Sequence, residues 1–225
     1  MMIETPSPNF DARDDTTIDM LVLHYTGMHR VDDALQRLCD AAAEVSAHYL
    51  IDEDGTTHRL VPEDQRAWHA GVAYWRGHTN INARSIGIEL VNPGHEHGYR
   101  AFPEVQTEAA LALCVDILAR HDIPARNVVG HSDVAPQRKT DPGEFFDWLR
   151  FADAGVGLWA NEADMIDGSP ENIARLLSEY GYEVEDGLAT VKAFQRHFRP
   201  ERVNGRVDGP TLRRLQGLVD TLAKP

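Results

Sequence analysis

Three short apolar stretches of the chain show the pattern that is typical of buried β-strands. The stretch IDMLVLHY, residues 18–25, is rich in Leu, Val and Ile and carries His24 near its end. The stretch RSIGIELVN carries Glu89 near its end, and NVVGH ends at His131. The sequence therefore predicts three buried strands, each with an ionisable side chain close to its carboxyl end.

Two longer segments place apolar residues at helical spacing. DDALQRLCDAAAEV begins with an aspartate cap, and TEAALALCVDILARHDI is the clearest amphipathic segment of the chain. Between them, AHYLIDEDGTTHRLVP contains two short β-like runs around Asp54 and Gly55, a pair that favours a hairpin turn. Because strands and helices alternate, we expect an α/β fold with a central mixed β-sheet flanked by helices.

The pattern changes after about residue 155. NEADMIDGSPEN is acidic and loop-like, and only helical patterns follow it, in SPENIARLLSEYGY, LATVKAFQRHF and DGPTLRRLQGLVDTLA. Asp208 and Thr211 are the alternative caps of the last helix. We predict a first domain over residues 1–155, a linker over 156–168, and a small three-helix domain over 169–225.

Composition and charge exclude some classes of partner. The chain of 225 residues is 42% hydrophobic and 26% charged, which is ordinary for a soluble globular protein of one domain plus a small appendage. Its net charge of -14 would repel a nucleic acid, and no run of basic residues offsets that charge. The longest mostly apolar stretch, AALALCVDILA, is too short to span a membrane. We expect neither nucleic acid nor membrane as a partner.

The N-terminal residues and the cysteines are the features that bear on the cellular compartment of the protein. MMIETPSPNFDARDD lacks the basic start and the apolar core of a signal peptide, which predicts a cytoplasmic protein. A periplasmic location is the alternative if a leader has been removed. Cys39 and Cys114 are the only cysteines, and both lie in apolar helix-like stretches, so we expect two free buried thiols.

The histidines at the strand ends suggest a metal site. His24 and His131 are joined by Asp141, which follows His131 by ten positions in the Pro-containing stretch HSDVAPQRKTDPG. Two imidazoles and a carboxylate, with a fourth position for water, form the ligand set of a catalytic zinc site, and no cysteine is placed to close it. The alternatives are that each histidine is a hydrogen-bonded structural residue and that the stretch is a solvated surface loop.

A hydrolytic zinc site also needs a base and a stabiliser of the oxyanion. Glu89 is flanked by residues that should be buried, and burial would raise its pKa into the range that suits proton transfer. Lys139 lies two positions before Asp141 and would place an ammonium near the metal. The alternatives are a solvent-facing glutamate on an edge strand and an ordinary surface lysine.

Five motifs carry a resemblance to a known family. LVLHYTG, SAHYLIDEDG, RLVPEDQRAWHAG, SIGIELVN and VVGHSDVAPQRKTDPG occur in this order over roughly residues 18–150. This part resembles the zinc-dependent N-acetylmuramoyl-L-alanine amidases of the type 2 family, which are related to peptidoglycan recognition proteins. AFQRHFRP and GRVDGPTLRRL in the tail resemble a small peptidoglycan-binding module. The two-part layout is similar to the AmiD-type members, whereas the missing leader is similar to the cytoplasmic AmpD-type members.

The resemblance implies a role for each of five residues. His24, His131 and Asp141 would bind one zinc ion, Glu89 would be the catalytic acid and base, and Lys139 would stabilise the oxyanion. The implied reaction is hydrolysis of the amide between N-acetylmuramic acid and L-alanine of the stem peptide. We expect a monomer that acts on soluble 1,6-anhydro-muropeptides in bacterial cell-wall recycling. The alternatives are an amidase of the intact wall and a non-catalytic recognition protein.

Several side chains are candidates for contact with the sugar or the peptide. Aromatic faces stack on sugar rings, and arginine forks bind carboxylates. The predicted substrate-binding residues are Tyr25, Trp68, His69, Trp75, Arg84 and Arg138. Trp68 has the alternative of anchoring its loop to the core, and Tyr25 has the alternative of a packing role. We do not expect zinc binding by the remaining histidines of the hairpin and the polar loop, His48, His58, His95 and His97.

Overall fold

The structure is a computed structural model that describes residues 1–14, 16–159, 161–164 and 167–222. Its strands are β1 (Met2–Glu4), β2 (Phe10–Ala12), β3 (Met20–Tyr25), β4 (Tyr49–Ile51), β5 (Thr57–Arg59), β6 (Gln65–Ala67), β7 (Ser85–Leu90) and β8 (Val128–Gly130). Its helices are α1 (Val31–Leu38), α2 (Ile81–Arg84), α3 (Glu104–Arg120), α4 (His131–Val134), α5 (Trp148–Asp153), α6 (Pro170–Tyr180), α7 (Gly187–Phe198) and α8 (Gly209–Leu222).

Six strands form a mixed sheet in the order β1-β5-β4-β7-β3-β8. The hairpin between β4 and β5 is antiparallel, and every other pair in this sheet is parallel. Strands β2 and β6 form a separate two-stranded antiparallel pair. The predicted α/β fold with a central mixed sheet is therefore confirmed, as are the hairpin at Asp54 and Gly55 and the three predicted buried strands.

Alternation along β3 assigns the two faces of the sheet. Leu21 and Leu23 pack in one apolar cluster with residues of α3, whereas Met20 and Val22 pack in another with residues of α6, α7 and α8. Because successive side chains of a strand point to opposite faces, His24 shares the face of Met20 and Val22. The first histidine of the predicted site thus lies on the face that the C-terminal helices cover.

The three predicted C-terminal helices are present and pack on the sheet. One continuous apolar cluster joins residues of the sheet and its loops, such as Val22 and Trp75, to tail residues such as Tyr180 and Phe194, all of which are buried. Asp208 caps α8, because its Oδ1 accepts a hydrogen bond from the backbone N–H of Thr211 at 3.1 Å. The tail packs against the first domain through this shared core, and the division into two domains stays a prediction.

The predicted linker and the first helix differ in detail from the sequence pattern. Val156, the first residue of the predicted linker, is fully buried in the cluster that contains α3. Helix α1 stops at Leu38, and its N-cap is Arg30 rather than an aspartate. The Asp40 side chain accepts a hydrogen bond from the N–H of Ala42 at 2.9 Å, a local turn that competes with continued helix.

The structure also contains three strands that the sequence pattern did not predict. Strands β1, β2 and β6 have three residues each, which is too short for a periodic signal. Except for the buried Ala67, their residues are exposed or half-exposed and are held by pairing with β5 and with each other. Across the described part of the chain, no helix has the length and apolarity that crossing a bilayer requires.

Candidate active site

The predicted site residues meet at one edge of the sheet because three parallel strands end there. On β3 and β7 the register pairs His24 with Glu89, and β8 lies on the other side of β3. His131 follows β8 directly as the first residue of α4. Since parallel strands present their carboxyl ends at the same edge, His24, Glu89 and His131 are brought together by the sheet itself.

Asp141 completes a compact triangle with the two histidines. The Nδ1 atoms of His24 and His131 lie 2.9 Å apart, and Oδ2 of Asp141 lies 3.1 Å from the first and 3.0 Å from the second. All three side chains are buried. Among the described residues, these three form the one group of His, Cys, Asp or Glu that is arranged to hold a metal ion.

The loop that carries Asp141 is tied back to α4 by backbone hydrogen bonds. The N–H of Ser132 donates to the carbonyl of Asp141 at 2.8 Å, and the N–H of Lys139 donates to the carbonyl of Ala135 at 3.0 Å. The stretch HSDVAPQRKTDPG is therefore folded over its own first turn rather than extended into solvent. This local fold aims the carboxylate at the histidine that precedes it by ten positions.

The far ring nitrogens fix which atoms of the histidines face the triangle. Nε2 of His131 lies 3.0 Å from the carbonyl oxygen of Ala70, so this nitrogen carries the proton and donates. Nε2 of His24 lies 3.0 Å from Nδ1 of His69. We assign His69 as the acceptor, because its own Nε2 lies 3.1 Å from Oγ of Ser85, whose hydroxyl donates to the Ile81 carbonyl at 2.7 Å.

The protonation states agree with this assignment. Burial and the neighbouring His131 lower the pKa of His24 to about 4, and burial lowers the pKa of His69 well below its ordinary value. Burial acts to raise the pKa of Asp141, but the histidines beside it outweigh burial and lower it. The triangle therefore directs the Nδ1 atoms of the two histidines and one carboxylate oxygen to a common centre.

These three atoms fit a zinc ion. Three acceptors about 3 Å apart cannot satisfy one another, whereas a cation with bonds of about 2 Å lies within reach of all three. Two imidazoles and one carboxylate leave the fourth tetrahedral position to water, and each histidine has a hydrogen-bond acceptor behind it, as zinc ligands usually have. The donor set, its distances and its second layer of hydrogen bonds all suit zinc.

Glu89 has the environment of a group that exchanges protons. Its carboxylate atom Oε2 is buried and has no hydrogen-bond partner among the described residues. Burial, with a smaller contribution from the charge of Asp141, raises the pKa of Glu89 to about 8. Lys139 lines the same cleft. Both residues therefore lie in one cleft with His131 and Asp141, and their catalytic roles stay predictions.

The site opens into a cleft of about 350 Å³. One wall comes from α1 and includes Arg37, and another comes from the loop that contains Trp68. The segment around His95 and the loop of Lys139 complete the lining. His131 and Asp141 also line the cleft, so a ligand bound there lies beside the ligand triangle.

Four of the predicted substrate-binding residues, Tyr25, Trp68, His69 and Arg138, line this cleft. Tyr25 and Trp68 line it, and the Tyr25 hydroxyl lies 2.8 Å from Oγ1 of Thr140 and 2.9 Å from Nδ1 of His95. Arg138 also lines the cleft, but its Nε donates to the carbonyl of Val72 at 2.8 Å. The Arg138 guanidinium is thus engaged by the neighbouring loop.

The structure places the other two predicted substrate-binding residues, Trp75 and Arg84, elsewhere. Trp75 is 1% exposed and packs edge-on against Tyr180 and Tyr182, so neither ring face is open to a sugar. Arg84 forms an ion pair with Asp19 at the start of β7, the opposite end of that strand from Glu89. We correct these two assignments on these grounds. His69 lines the cleft and contacts Nε2 of His24 at 3.0 Å, and its contact with substrate stays a prediction.

Some residues of the site gave no signal in the sequence. Ser85 ends the hydrogen-bond chain behind His24, and Glu144 binds His95 at 3.0 Å at the rim of the cleft. Asp133, two positions after His131, is 1% exposed and binds residues of the tail. The sequence pattern selected Asp141 of HSDVAPQRKTDPG as the candidate ligand, but it did not indicate that Asp133 binds the tail.

Comparison with known proteins agrees with this geometry. The family model described as N-acetylmuramoyl-L-alanine amidase (Amidase_2) matches residues 14–144, more than half of the chain. N-acetylmuramoyl-L-alanine amidase AmiD of Escherichia coli (strain K12) is 37% identical over an alignment 231 residues long, and this alignment covers 90% of this chain and 83% of that protein. The 1,6-anhydro-N-acetylmuramyl-L-alanine amidase AmpD of Citrobacter freundii is 37% identical over 164 residues, 65% of this chain and 86% of AmpD.

Solved structures match over nearly the whole chain. The complex of E. coli AmiD with anhydro-N-acetylmuramic acid-L-Ala-D-gamma-Glu-L-Lys has a TM-score of 0.84 at 35% identity and covers 96% of this chain and 92% of that one. AmpDh3 of Pseudomonas aeruginosa, in complex with anhydromuramic pentapeptide, has a TM-score of 0.84 at 31% identity and covers 96% and 95%. With its metal triangle, its fold and these matches, the chain belongs to the type 2 N-acetylmuramoyl-L-alanine amidase family.

Proposed function

We propose that the chain is a zinc amidase that hydrolyses the bond between N-acetylmuramic acid and L-alanine of the stem peptide, with the 1,6-anhydro form as its substrate. The observation that supports this most directly is the convergence of the ligand triangle, Glu89 and Lys139 on one open cleft. His24, His131 and Asp141 would hold the zinc ion. One ion per chain is the expected stoichiometry.

Each remaining group has a step in the hydrolysis of the amide. Zinc, when bound, acidifies a water molecule and polarises the scissile carbonyl. Glu89 accepts the proton of the attacking water and delivers it to the leaving alanine nitrogen, which its raised pKa allows. Lys139 presents its ammonium to the negative charge that develops on the carbonyl oxygen.

The walls of the cleft supply the binding groups for the two halves of the substrate. We assign Tyr25 and Trp68 to apolar contact with the sugar, since aromatic side chains stack on sugar rings. Arg138 keeps the loop of Ala70 and Val72 in place through their carbonyl oxygens, and thereby shapes the wall of the cleft. Arg37 lines the far end of the cleft and is placed to meet a carboxylate of the peptide.

The anhydro form is supported by the proteins that this chain resembles. AmpD carries this substrate in its name, and the AmiD and AmpDh3 complexes contain anhydro-muramyl peptides. We propose a monomer that acts in the cytoplasm on soluble fragments, and the free thiols of Cys39 and Cys114 suit a reducing compartment. The alternative is an amidase that acts on intact wall peptidoglycan, and the experiment below includes that substrate.

The decisive experiment is mass spectrometry of the products formed from anhydro-muropeptide. We expect free stem peptide and anhydro-N-acetylmuramic acid from the purified protein, loss of both after chelation, and their return with added zinc. Purified murein sacculi in parallel reactions separate the two substrates. Release of peptide from sacculi but not from the soluble fragment would move the proposal to the intact wall. Protein that holds zinc and releases no peptide from either substrate would contradict it.

A further inference from the structure

Asp133 is a buried carboxylate that belongs to the metal-binding segment but not to the ligand set. It lies in α4, two positions after His131, and is 1% exposed. Its Oδ2 accepts a hydrogen bond from the backbone N–H of Gly130 at 2.8 Å, so it reaches back over the start of the helix. This contact closes the first turn of α4 in the manner of a capping box.

The other two donors to this carboxylate come from the C-terminal helices. The Tyr182 hydroxyl, just after α6, donates to Oδ1 of Asp133 at 2.6 Å. Nδ1 of His197, in α7, donates to Oδ2 at 2.7 Å. Tyr182 is 1% exposed and His197 is 3% exposed, so both bonds are shielded from water. Two of the three hydrogen bonds on the buried charge are therefore supplied by the tail.

Packing holds the His197 ring in this position. The ring stacks on Trp148 with the two centroids 3.8 Å apart. Trp148 in turn lies against Gly130, where an added Cβ would approach its ring to 3.3 Å. The tail thus contacts the start of α4 in two ways: through the stacked rings of His197 and Trp148, and through the hydrogen bonds to Asp133.

The segment that Asp133 holds carries two of the three ligands. His131 begins α4, and Asp141 is tied to α4 by the hydrogen bond from Ser132 to its carbonyl. We propose that His197 and Tyr182 are positioning residues for the metal site, which act through Asp133 to hold α4 in the geometry that binds zinc. The inference rests on the proposed zinc site and gives the tail a role in building it.

Apolar contacts between the tail and the sheet would not by themselves hold α4 in the geometry that binds zinc. Adhesion between the tail and the sheet is already provided by the shared apolar cluster. A buried carboxylate, in contrast, is stable only where donors of fixed direction meet it, and it loses its place when one of them is removed. Replacing the hydrogen-bond partners of metal ligands typically changes metal affinity by about 10–100-fold, and His197 and Tyr182 act one residue further out.

The test is the zinc affinity of two variants of His197, measured with the full chain by competition against a chromophoric chelator. His197→Phe keeps a flat ring for the stack on Trp148 but removes the donor, and we expect zinc binding to weaken about 10–100-fold. His197→Asn offers an amide N–H near the position of Nδ1, and we expect it to bind zinc within about threefold of the parent.

A matched control separates positioning from loss of stability. Gln195 lies in the same helix and is fully buried. Among the described residues its hydrogen bonds stay within the tail: Nε2 donates to the carbonyl of Arg206 at 2.9 Å and to Oγ1 of Thr211 at 3.3 Å, and Oε1 accepts from the N–H groups of Asn204 and Gly205. Gln195→Ala should lower the unfolding temperature and leave zinc affinity unchanged. Equal loss of zinc affinity in Gln195→Ala and His197→Phe would overturn the proposal.

The remaining outcomes are also decisive. Parental zinc affinity in a folded His197→Phe variant would overturn the proposal. If that variant does not fold, Tyr182→Phe takes its place, because it removes one hydroxyl and keeps the ring. It should weaken zinc binding several-fold, and unchanged affinity would overturn the proposal in the same way. Since zinc affinity is measured without substrate, these results stand apart from any failure of the proposed amidase activity.

Discussion

Glu89 and Asp141 are both acids of one cleft, yet the geometry gives them different tasks. Asp141 lies within 3.1 Å of both histidine nitrogens, whereas the Oε2 atom of Glu89 has no partner in the described structure. We expect Asp141→Ala to lose zinc. Glu89→Gln should keep zinc and lose about 10²–10⁴-fold in kcat, the contribution that is typical of a general base. Metal analysis and steady-state kinetics on the same preparations measure both effects.

The two variants serve as controls for each other. Zinc content that stays at one ion in Asp141→Ala would remove Asp141 from the ligand set. Full activity of Glu89→Gln would remove Glu89 as the base and leave the role to another group of the cleft. Lys139→Ala should keep zinc as well, with a smaller loss in kcat, because a bound zinc ion would also stabilise the negative charge on the carbonyl oxygen.

The raised pKa of Glu89 also predicts how stability changes with pH in the metal-free protein. The folded protein holds this proton up to a pKa of about 8, whereas the unfolded chain releases it near its ordinary value of 4.5. Because the folded state binds more protons in this window, the stability contributed by protonated Glu89 is present below pH 4.5 and is lost as the pH rises to about 8.

Glu89→Gln removes this dependence. The variant should match the parent below pH 4.5 and exceed its free energy of unfolding by about 2 kcal/mol above pH 8, a figure that allows for solvent screening of a half-buried group. Chemical unfolding in the presence of a chelator measures the difference at each pH. A difference that stays constant from pH 4.5 to 8 would show that the carboxyl ionises normally.

The sequence predicts a residue of this site well where strand order alone determines its position. His24, Glu89 and His131 each lie near the end of an apolar run, and parallel strands bring such ends together. Trp75 and Arg84 were misassigned because loop composition does not show which end or face of the sheet a side chain reaches. The position of Trp75, for example, is set by contacts with residues that are distant in the sequence, since it packs in one cluster with Met20 and the C-terminal helices.

At the level of the strand, Gly87 of β7 provides the space in which the support of His24 is packed. A Cβ added at Gly87 would lie 2.4 Å from Cγ of His69, and shifting this ring would break its hydrogen bond to His24. We expect Gly87→Ala to lose about 1–3 kcal/mol of stability and to weaken zinc binding. Thermal unfolding and chelator competition measure the two effects.

Gly187 is the matched control for this substitution. It lies at the start of α7, and an added Cβ meets nothing within 4 Å. Gly187→Ala should therefore leave zinc affinity unchanged and keep or slightly raise the unfolding temperature. Zinc affinity of Gly87→Ala equal to that of Gly187→Ala would mean that the position of the His69 ring does not matter to the metal.

Elements were predicted from the sequence in proportion to their length and regularity. Helix α3 and the three C-terminal helices have sustained apolar periodicity and were all anticipated. The short strands β1, β2 and β6 were missed, because their pairing partners rather than their own residues define them. The break at the end of α1 depends on one side chain, Asp40, and a helical pattern does not reveal such a competing turn.

The sheet region and the C-terminal helices share one apolar core rather than meeting at a surface contact. Buried residues of the sheet region, such as Val22, Trp75 and Val129, share a cluster with buried tail residues such as Tyr180 and Phe198. AmpD aligns with only 65% of this chain, whereas AmiD aligns with 90%. The face of the sheet that the tail covers is built from apolar side chains, so this chain depends on its tail to bury them.

This shared core predicts a single unfolding transition for the full chain. Because the cluster of Trp75, Tyr180 and Phe198 is lost when either part opens, calorimetry should show one peak with equal calorimetric and van't Hoff enthalpies. A chain ended after residue 164 should expose this face, aggregate or bind a hydrophobic dye, and lose zinc together with the support of Asp133. Two separate transitions, or a truncated chain that is folded and holds zinc like the parent, would show that the tail is an independent module.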